Sequence, residues 1–509
     1  VRASFRVRKE VFVLERPGTR ATLIATLTAP PSRELEGLAD ADWLEVRGDL
    51  VGDLDPALVR RIFPGQLLYT LRSRAEGGAF EGSAERRKRR LVDAARRYDF
   101  VDLEMARDLV PEVLKAIPPE RRVISWHGPA TPLAGLQEIF RRMSGTNAAL
   151  YKLVPAATQP GEELAPLLLL QGLERRDVTA FSTGLAGVWT RLIAPRFGAP
   201  VVYGAAGETP GAPGQPTIQQ LVRDFGLPAM PPVSVLFGIV GNPVSHSLSP
   251  RIHNAAYREL GVPALYLPFH TESFGEFWLE VVESGMLEEL GLPIRGLSVT
   301  APYKEAALAV AGAESPRAGL IGAANTLVWN QQVWEAEATD PDGIVLPLRE
   351  RGIPIDGRTA AVVGTGGAGR SAAAGLATAG ARVTLVNRGA ERGLQAATLL
   401  GLPFMPLADL DPSTFDILVN ATSLGRKDGE ALPFPVDSLR PGPPGVVVID
   451  MVYGDGPTPL LREAAARGAV TVDGREVLLG QAVGQFRMMT GKDLPRALVR
   501  RIVGLEDLP

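Results

Sequence analysis

The sequence predicts an α/β protein made of two unlike halves. Three observations carry that expectation. Eight short β-rich runs alternate with amphipathic stretches through residue 205, a proline-rich break follows at 225–235, and a strand–glycine turn–helix–strand string occupies 358–389.

In the first half the β-rich runs are TLIATLT (22–28), WLEVRGD (43–49), LLYTLRS (67–73) and FVDLEM (100–105). RVISWHG (122–128), ALYKLVP (149–155), VTAFSTG (178–184) and PVVYGA (200–205) complete the series. Helical periodicity covers 84–97, 107–117, 134–143 and 160–174. Strands alternating with helices imply parallel strands with helical crossovers, and eight such units imply a (β/α)8 barrel. The active face of that architecture is the C-terminal end of its strands. Toward that end lie Glu45 and Arg47, Arg72, Glu104, His127 and Lys152, on five successive strands. An ion pair would explain any one of them; their convergence points to a site.

Lys152 stands out as one of seven lysines among 54 basic residues, in an apolar strand where it shares a face with Leu150 and Val154. An amine desolvated near arginines loses preference for its charged form, attacks a ketone and forms an imine that acidifies the neighbouring C–H. His127 is the candidate to move that proton, since an imidazole titrates near ~6.5. Glu104 is the candidate to orient the imidazole, with Arg47, Arg72 and Arg191 holding an anionic, hydroxyl-rich substrate. The predicted chemistry is elimination or an aldol-type step on a ketone.

EVRGD, TLRSRAEGG, VDLE, SWH, YKL, STG…R and GAPGQ, in that order over roughly 20–226, resemble the motif series of type I 3-dehydroquinate dehydratase. The resemblance implies that Lys152 forms the imine with the C3 ketone. His127 would take the C2 proton and help the C1 hydroxyl leave as water. It also implies substrate contacts from Glu45, Arg47, Arg72, Arg191 and Gln215. Two positions depart: Gly128 follows the histidine where an acidic residue is common, and Gly211 stands where serine is usual.

FGLPAMPPVSV (225–235) ends the barrel pattern as a semi-rigid spacer. LFGIVGNPVSHSLSPRIHNAAY (236–257) then reads as strand, turn and helix, with Ser249 expected as N-cap and Pro250 at the first helical position. LSVTAPYKEAALAV (297–310) ends a strand at Thr300 and opens a helix at Lys304. A positive charge there gains nothing from the helix dipole, so surface placement and a functional role both fit. GAANTL (322–327) and ATDPDG (338–343) add Asn325 and Asp340.

The string at 358–389 runs from an apolar strand into Gly364-x-Gly366-x-x-Gly369, then an alanine-rich helix and the strand RVTLV. That context is what a Rossmann dinucleotide fold needs: glycines admit the pyrophosphate to a helix N-terminus. The second strand ends in Asn387-Arg388 rather than an acid, which suits a 2′-phosphate and predicts NADP(H), with Arg392 assisting. DILVN (416–420) and GVVVIDMVY (445–453) supply further strands. The stretch 474–491 is helical and expected to pack back on the first subdomain.

GNPVSHSLSP, VTAPYK, AANT, TDPDG, GTGGAG, VNR, NATSLG, DMVY and LLGQA resemble shikimate dehydrogenase in order over about 236–509. This implies that Ser247 and Ser249 hold the substrate carboxylate, and that Thr300, Asn325, Asp340, Tyr453 and Gln481 line the site. Lys304, paired with Asp340, would protonate the oxygen as hydride reaches the ketone. Gly364, Gly366, Gly367, Ala368, Gly369, Asn387, Arg388, Arg392, Thr422, Met451 and Gly474 would face the cofactor. Ser298 departs where asparagine is common, as do Ala338 and Gly389.

The two resemblances share one ketone: the barrel would convert 3-dehydroquinate to 3-dehydroshikimate, and the second half would reduce it to shikimate. The expected layout is a barrel over 1–226, a linker over 227–235 and a substrate subdomain over 236–344. A nucleotide subdomain over 345–475 and returning helices over 476–509 complete it. Two rivals stand at this level: a quinate dehydrogenase in the second half, or a metabolite-binding regulator. The second is disfavoured because Lys152, His127, Lys304 and Asp340 are all present.

Bulk composition narrows the partners. A net charge of −3 gives no electrostatic reason to expect nucleic acid or an anionic membrane. With no cysteine, disulfides, thiolate nucleophiles and cysteine-bound metals are excluded, and no metal site is expected. The longest apolar runs, such as LAPLLLL (164–170), fall far short of a membrane span of ~20 residues. The charged start lacks a signal-peptide core, so a cytoplasmic location is expected.

Overall fold

The computed structural model describes residues 20–30, 38–426, 428–440, 445–454 and 456–506. Positions 1–19 of the charged opening stretch lie outside them. Two compact units emerge: one runs to Ser234 and includes Glu276–Leu292, and the other comprises Val235–Gly275 and Pro293 onward.

The first unit is built on β1 (Thr22–Leu27), β2 (Trp43–Arg47), β3 (Gln66–Thr70), β4 (Phe100–Glu104), β5 (Arg122–Gly128), β6 (Leu150–Pro155), β7 (Val178–Ala180) and β8 (Val201–Ala205). These form one parallel sheet in the order β7-β6-β5-β4-β3-β2-β1-β8. The hydroxyl of Thr179 on β7 donates to the Val201 carbonyl on β8 at 3.2 Å, bringing the two ends of a nearly closed barrel together. The strand period of two layers the interior. Leu68, Phe100, Val123 and Leu150 belong to one apolar cluster, and Trp43 stacks on Phe100 with centroids 4.2 Å apart. Two residues further along the same strands come Glu45, Thr70, Asp102, Ser125 and Lys152, all buried. Two further still come Arg47, Arg72, Glu104 and His127. A dry floor, a buried polar middle and an active rim follow from alternation alone.

Element boundaries differ from expectation where local chemistry intervenes. The strand foreseen at 178–184 is only Val178–Ala180, after which Thr183 makes an isolated bridge with Ala156. The helix foreseen from 107 starts at Pro111, whose fixed φ suits a first turn. The stretch 160–174 opens as a 3₁₀ turn, Glu162–Leu164, before the helix Ala165–Leu173.

The second unit holds two six-stranded sheets. One is mixed, ordered β10 (Ala264–His270), β9 (Val235–Gly241), β11 (Ile294–Val299), β13 (Thr326–Asn330), β14 (Val333–Glu337), β12 (Ala313–Glu314), with β13 antiparallel to both neighbours. The other is parallel, ordered β17 (Phe404–Pro406), β16 (Arg382–Asn387), β15 (Thr359–Val363), β18 (Ile417–Asn420), β19 (Val447–Asp450), β20 (Val470–Val472). That 3-2-1-4-5-6 order is the doubly wound dinucleotide fold.

The helix Gly474–Thr490, started by an Asp473–Glu476 capping box, serves both sheets. Its Val477 packs in the core around Val362 and Val383, while Leu479, Ala482 and Phe486 pack with Phe237, Ile252 and Tyr266. It crosses the helix Asp340–Glu350 where neither carries a side chain. A Cβ on Gly343 would stand 2.5 Å from the Val477 carbonyl oxygen, and one on Gly480 would stand 2.9 Å from the Gly343 Cα. Gly343→Ala should therefore force the helices apart and cost about 1–3 kcal/mol, read as a lower urea midpoint; an unchanged midpoint would show that the crossing tolerates a methyl.

Candidate active sites

At the C-terminal face of the barrel a cavity of about 380 Å³ is lined by Glu45, Arg47, Arg72, His127, Lys152 and Arg191, among others. The Lys152 amine is buried, 3.7 Å from a Glu45 oxygen and 3.8 Å from the centroid of the Tyr203 ring. Burial is the largest influence and depresses its pKa; Arg72 and Arg47 act in the same direction, against Glu45 and Asp102. Glu45 is fixed by hydroxyl donors, Thr26 at 2.9 Å and Thr70 at 2.8 Å. Burial opposes ionisation of Glu45, but Lys152, Arg47 and the Thr70 bond outweigh it and hold its pKa low.

Burial first, then Arg72, Lys152 and Arg47, drive the His127 pKa well below its ordinary 6.5. The carboxylate beside this imidazole is Glu76, with Oε2 3.2 Å from Nδ1 and 3.1 Å from the His127 backbone nitrogen. Glu104, expected in that place, does not make the contact. Its oxygens accept from the Ser73 backbone N–H and hydroxyl at 2.7 Å each, with Arg72 at 3.4 Å and Arg107 at 3.5 Å. The reason is the turn after β3. Ser73 and Phe80 bridge, and the 3₁₀ turn Arg74–Glu76 brings its own carboxylate to the end of β5. Burial pushes the Glu76 pKa up to about 8; Arg72 opposes this, while Glu104 and Asp102 add to it. Glu76 was visible in the sequence as the acid of RAEGG, but loop residues carry no strand period to single them out.

The three arginines differ in what they have left to offer. Arg72 contacts Ser125 at 2.9 Å, Asp102 at 3.0 Å and Glu76 at 3.3 Å; Arg47 grips Asp49 with two bonds, 2.9 and 2.8 Å. Arg191 is buried with no carboxylate partner among the described residues. It donates to the Tyr203 carbonyl at 3.3 Å, lies over the Phe181 ring at 4.8 Å, and leaves its Nε unpartnered. Burial lowers its pKa to about 10. A buried guanidinium without a facing carboxylate keeps N–H donors of the kind an anion takes up. Gln215 accepts from the Gly211 N–H at 2.8 Å. A Cβ at Gly211 would approach Gln215 and Thr26 to 3.1 Å, and one at Gly128 would strike the Trp126 ring at 2.1 Å. A side chain at either position would thus press on a neighbour already in place.

In the second unit Lys304, first residue of the helix Lys304–Val310, is hydrogen-bonded to Asp340. The Asn325 amide donates to Asp340 at 2.8 Å, Thr339 at 3.0 Å and Gln481 at 3.1 Å, while its oxygen accepts from the Thr339 N–H at 2.7 Å. One strand end and three helices therefore converge on a single polar cluster. Thr300 follows β11 and donates its backbone N–H to Val240 at 3.0 Å. Ser247 accepts from the Ser249 N–H at 3.2 Å and hydrogen-bonds Tyr453.

Ser249 is not the N-cap. The cap position is Leu248, without a side-chain bond, and Ser249 is the first residue of the helix Ser249–Leu260. Its hydroxyl is instead engaged with Tyr266, which also donates to Ser298; Ser298 in turn donates to Gln485 at 3.0 Å. The serine at 298 thus belongs to a satisfied buried network. Ala338 is buried, and Gly389 caps the helix Ala390–Leu400.

The nucleotide turn has the geometry its glycines predict. Gly364 has φ +105°, Gly366 caps the helix Gly367–Thr378, and a Cβ at Gly369 would fall 1.9 Å from the Gly364 oxygen. Gly367 and Ala368 form the first turn of that helix. Asn387 ends β16 and donates to the Gly389 carbonyl at 2.8 Å; Arg388 and Arg392 beyond it are exposed. Thr422 bonds Asn420 at 2.7 Å, Met451 follows β19, and a Cβ at Gly474 would press on the Val452 oxygen at 2.5 Å. Among the described residues no group of His, Asp and Glu is placed to hold a metal, and no helix is long and apolar enough to cross a membrane.

Comparison with known proteins matches residues 23–227 to the type I 3-dehydroquinase family and 239–327 to the shikimate dehydrogenase substrate-binding domain. Residues 359–419, which hold the glycine turn, match a FAD-binding domain family. The chain is 30% identical over 493 residues to the chloroplastic bifunctional 3-dehydroquinate dehydratase/shikimate dehydrogenase of Arabidopsis thaliana, covering 91% of this chain and 80% of that one. Over 269 residues it is 41% identical to the shikimate dehydrogenase (NADP(+)) of Halorubrum lacusprofundi, covering 51% of this chain and 94% of that one.

The depressed imidazole gives a direct test. A group whose pKa is lowered on folding stays neutral until the pH drops below the lowered value, so an NMR titration should find His127 uncharged at pH 6.5. A half-protonated ring there would contradict the assignment.

Proposed function

Because the chain belongs to the family of bifunctional 3-dehydroquinate dehydratase/shikimate dehydrogenases, we propose a division of its two reactions among its own residues. The enzyme dehydrates 3-dehydroquinate to 3-dehydroshikimate and reduces that ketone to shikimate with NADPH. In our reading residues 1–226 carry the dehydratase and 227–235 link it onward. The substrate subdomain is 236–344, the nucleotide subdomain 345–475, and the helices of 476–509 return to the former. We place the activity in the cytoplasm, a setting compatible with a cysteine-free chain.

The observation that carries the dehydratase reading is a buried amine of depressed pKa sharing a cavity with an uncompensated guanidinium. Arg191 receives the substrate carboxylate and fixes the ketone against Lys152. The neutral amine adds to C3, and loss of water leaves an iminium that withdraws electrons from C2. With Nδ1–H donating to Glu76, the Nε2 lone pair of His127 faces the substrate and removes the C2 proton. The same imidazolium returns the proton to the departing C1 hydroxyl, and water then hydrolyses the imine. Arg47 and Arg72 neutralise the acids around the pocket, Glu45 and Gln215 bind substrate hydroxyls, and Glu104 holds the turn that delivers Glu76.

In the second unit Ser247, Ser249 and Tyr453 face the carboxylate, and Thr300, Asn325 and Gln481 hold the ring hydroxyls. The residues of the nucleotide turn fit NADP(H): Gly364 makes the tight turn, Gly366 leaves room for the pyrophosphate, and Gly369 lets the helix that begins with Gly367-Ala368 approach the strand. Arg388 and Arg392 offer two exposed cations for the 2′-phosphate, with Asn387, Thr422, Met451 and Gly474 bordering the groove. When bound, NADPH supplies the hydride. Lys304, held by Asp340, gives its proton to the ketone oxygen, and Asp340 keeps the amine oriented.

Adding 3-dehydroquinate and NADPH should yield shikimate with stoichiometric loss of NADPH absorbance, and borohydride with 3-dehydroquinate should mark Lys152. Failure to find that adduct while dehydration proceeds would exclude the imine. His127→Ala should slow dehydration by roughly 10²–10⁴-fold, and reduction of supplied 3-dehydroshikimate should persist; equal losses would contradict separate sites. Glu76→Gln should lower the dehydration rate on the order of 10²-fold by freeing the imidazole, measured at saturating substrate. Removing Arg388 and Arg392 together deletes charge-assisted bonds worth about 1.5–3 kcal/mol. The KM for NADPH should rise at least tenfold with that for NADH nearly fixed, and a parallel rise in both would refute the 2′-phosphate role.

A further inference from the structure

The Lys152 nitrogen has two close neighbours of opposite character. One is Glu45, whose two oxygens already accept the Thr26 and Thr70 hydroxyls. The other is the face of Tyr203, 3.8 Å from the nitrogen, on a side chain 2% exposed that also lines the cavity. The Tyr203 hydroxyl makes no hydrogen bond to any of the described residues. A phenol buried without a partner is unfavourable, so the hydroxyl does not account for an aromatic residue here. Nor does packing alone: Phe181 already faces Tyr203 at 6.3 Å within the same cluster, yet it is Tyr203 that presents its ring to the amine.

We propose that Tyr203 is a further catalytic residue of the dehydratase, its ring face stabilising the positive nitrogen of the iminium formed on Lys152. The inference rests on the Schiff-base reading. In the resting site a cation at this nitrogen is opposed by burial and by Arg72 and Arg47. Amine attack and loss of water place a positive charge on that same nitrogen without moving it away from the ring. The negative face of an aromatic ring attracts such a cation while remaining an apolar wall, and the effect is largest where water is excluded. Glu45 alone would favour the protonated amine as strongly as the iminium. The ring adds contact with the carbon-substituted, weakly hydrated cation that only the covalent intermediate provides. A wall of this kind strengthens the intermediate without adding another acid to a pocket that must bind an anionic substrate.

The test separates ring electronics from ring volume. Tyr203→Phe serves as reference, and a trifluorinated phenylalanine introduced at the same position keeps the shape while cancelling the negative face. Cation–π attraction of about 1–2 kcal/mol predicts a dehydration kcat roughly five- to thirtyfold lower for the fluorinated ring than for Phe, at matched unfolding midpoints. Equal kcat values for the two rings would overturn the inference. Borohydride trapping of the Phe variant is run alongside. An adduct on Lys152 with equal kcat values defeats the role of the ring alone, whereas no adduct on Lys152 defeats the Schiff-base reading beneath it.

Discussion

A charge is hard to keep in a dry barrel, and the dehydratase site is organised around that difficulty. The strand period puts Lys152 one layer above an apolar floor, where burial works against its ammonium form. Acids and bases in the layers around it follow from the same constraint. Glu45 stays ionised only because Lys152 and Arg47 stand nearby, and Arg72 is enclosed by Asp102, Glu104 and Glu76. Within this balanced set Arg191 faces no carboxylate among the described residues, and in our proposal an anion completes the site there.

The second unit uses the same residue type for a different end. Lys304 sits beside Asp340 at the mouth of two helices, paired and partly exposed, and in our proposal the amine so placed is a proton donor rather than a nucleophile. Depth separates the two lysines: Lys152 is buried with Arg72 and Arg47 opposing its charge although Glu45 lies 3.7 Å away, whereas Lys304 is partly exposed beside Asp340.

Much of this was legible in the sequence because strands write a period of two. Glu45, Arg47, Arg72, His127 and Lys152 could be placed toward one end of the barrel by counting, and the parallel sheet with its glycine turn could be placed by its flanks. What escaped was contact across turns. Glu104 has the right strand position but gives both oxygens to Ser73, whereas Glu76 reaches His127 from a 3₁₀ turn that no periodicity marks. Ser249 failed as a cap for a similar reason: its hydroxyl is drawn to Tyr266, on a strand, instead of back to its own helix. The short outer strands β12, β17 and β20 were not read at all, being two or three residues long.

The helix Gly474–Thr490 gives Val477 to the nucleotide core and Phe486 to the substrate core, and its glycine crossing clasps the helix that begins at Asp340. Neither core can lose its packing without stripping the other of buried apolar surface. The two sheets of the dehydrogenase should therefore melt in concert, as a single cooperative foldon, and a cut that severs this shared helix from the chain should collapse both at once.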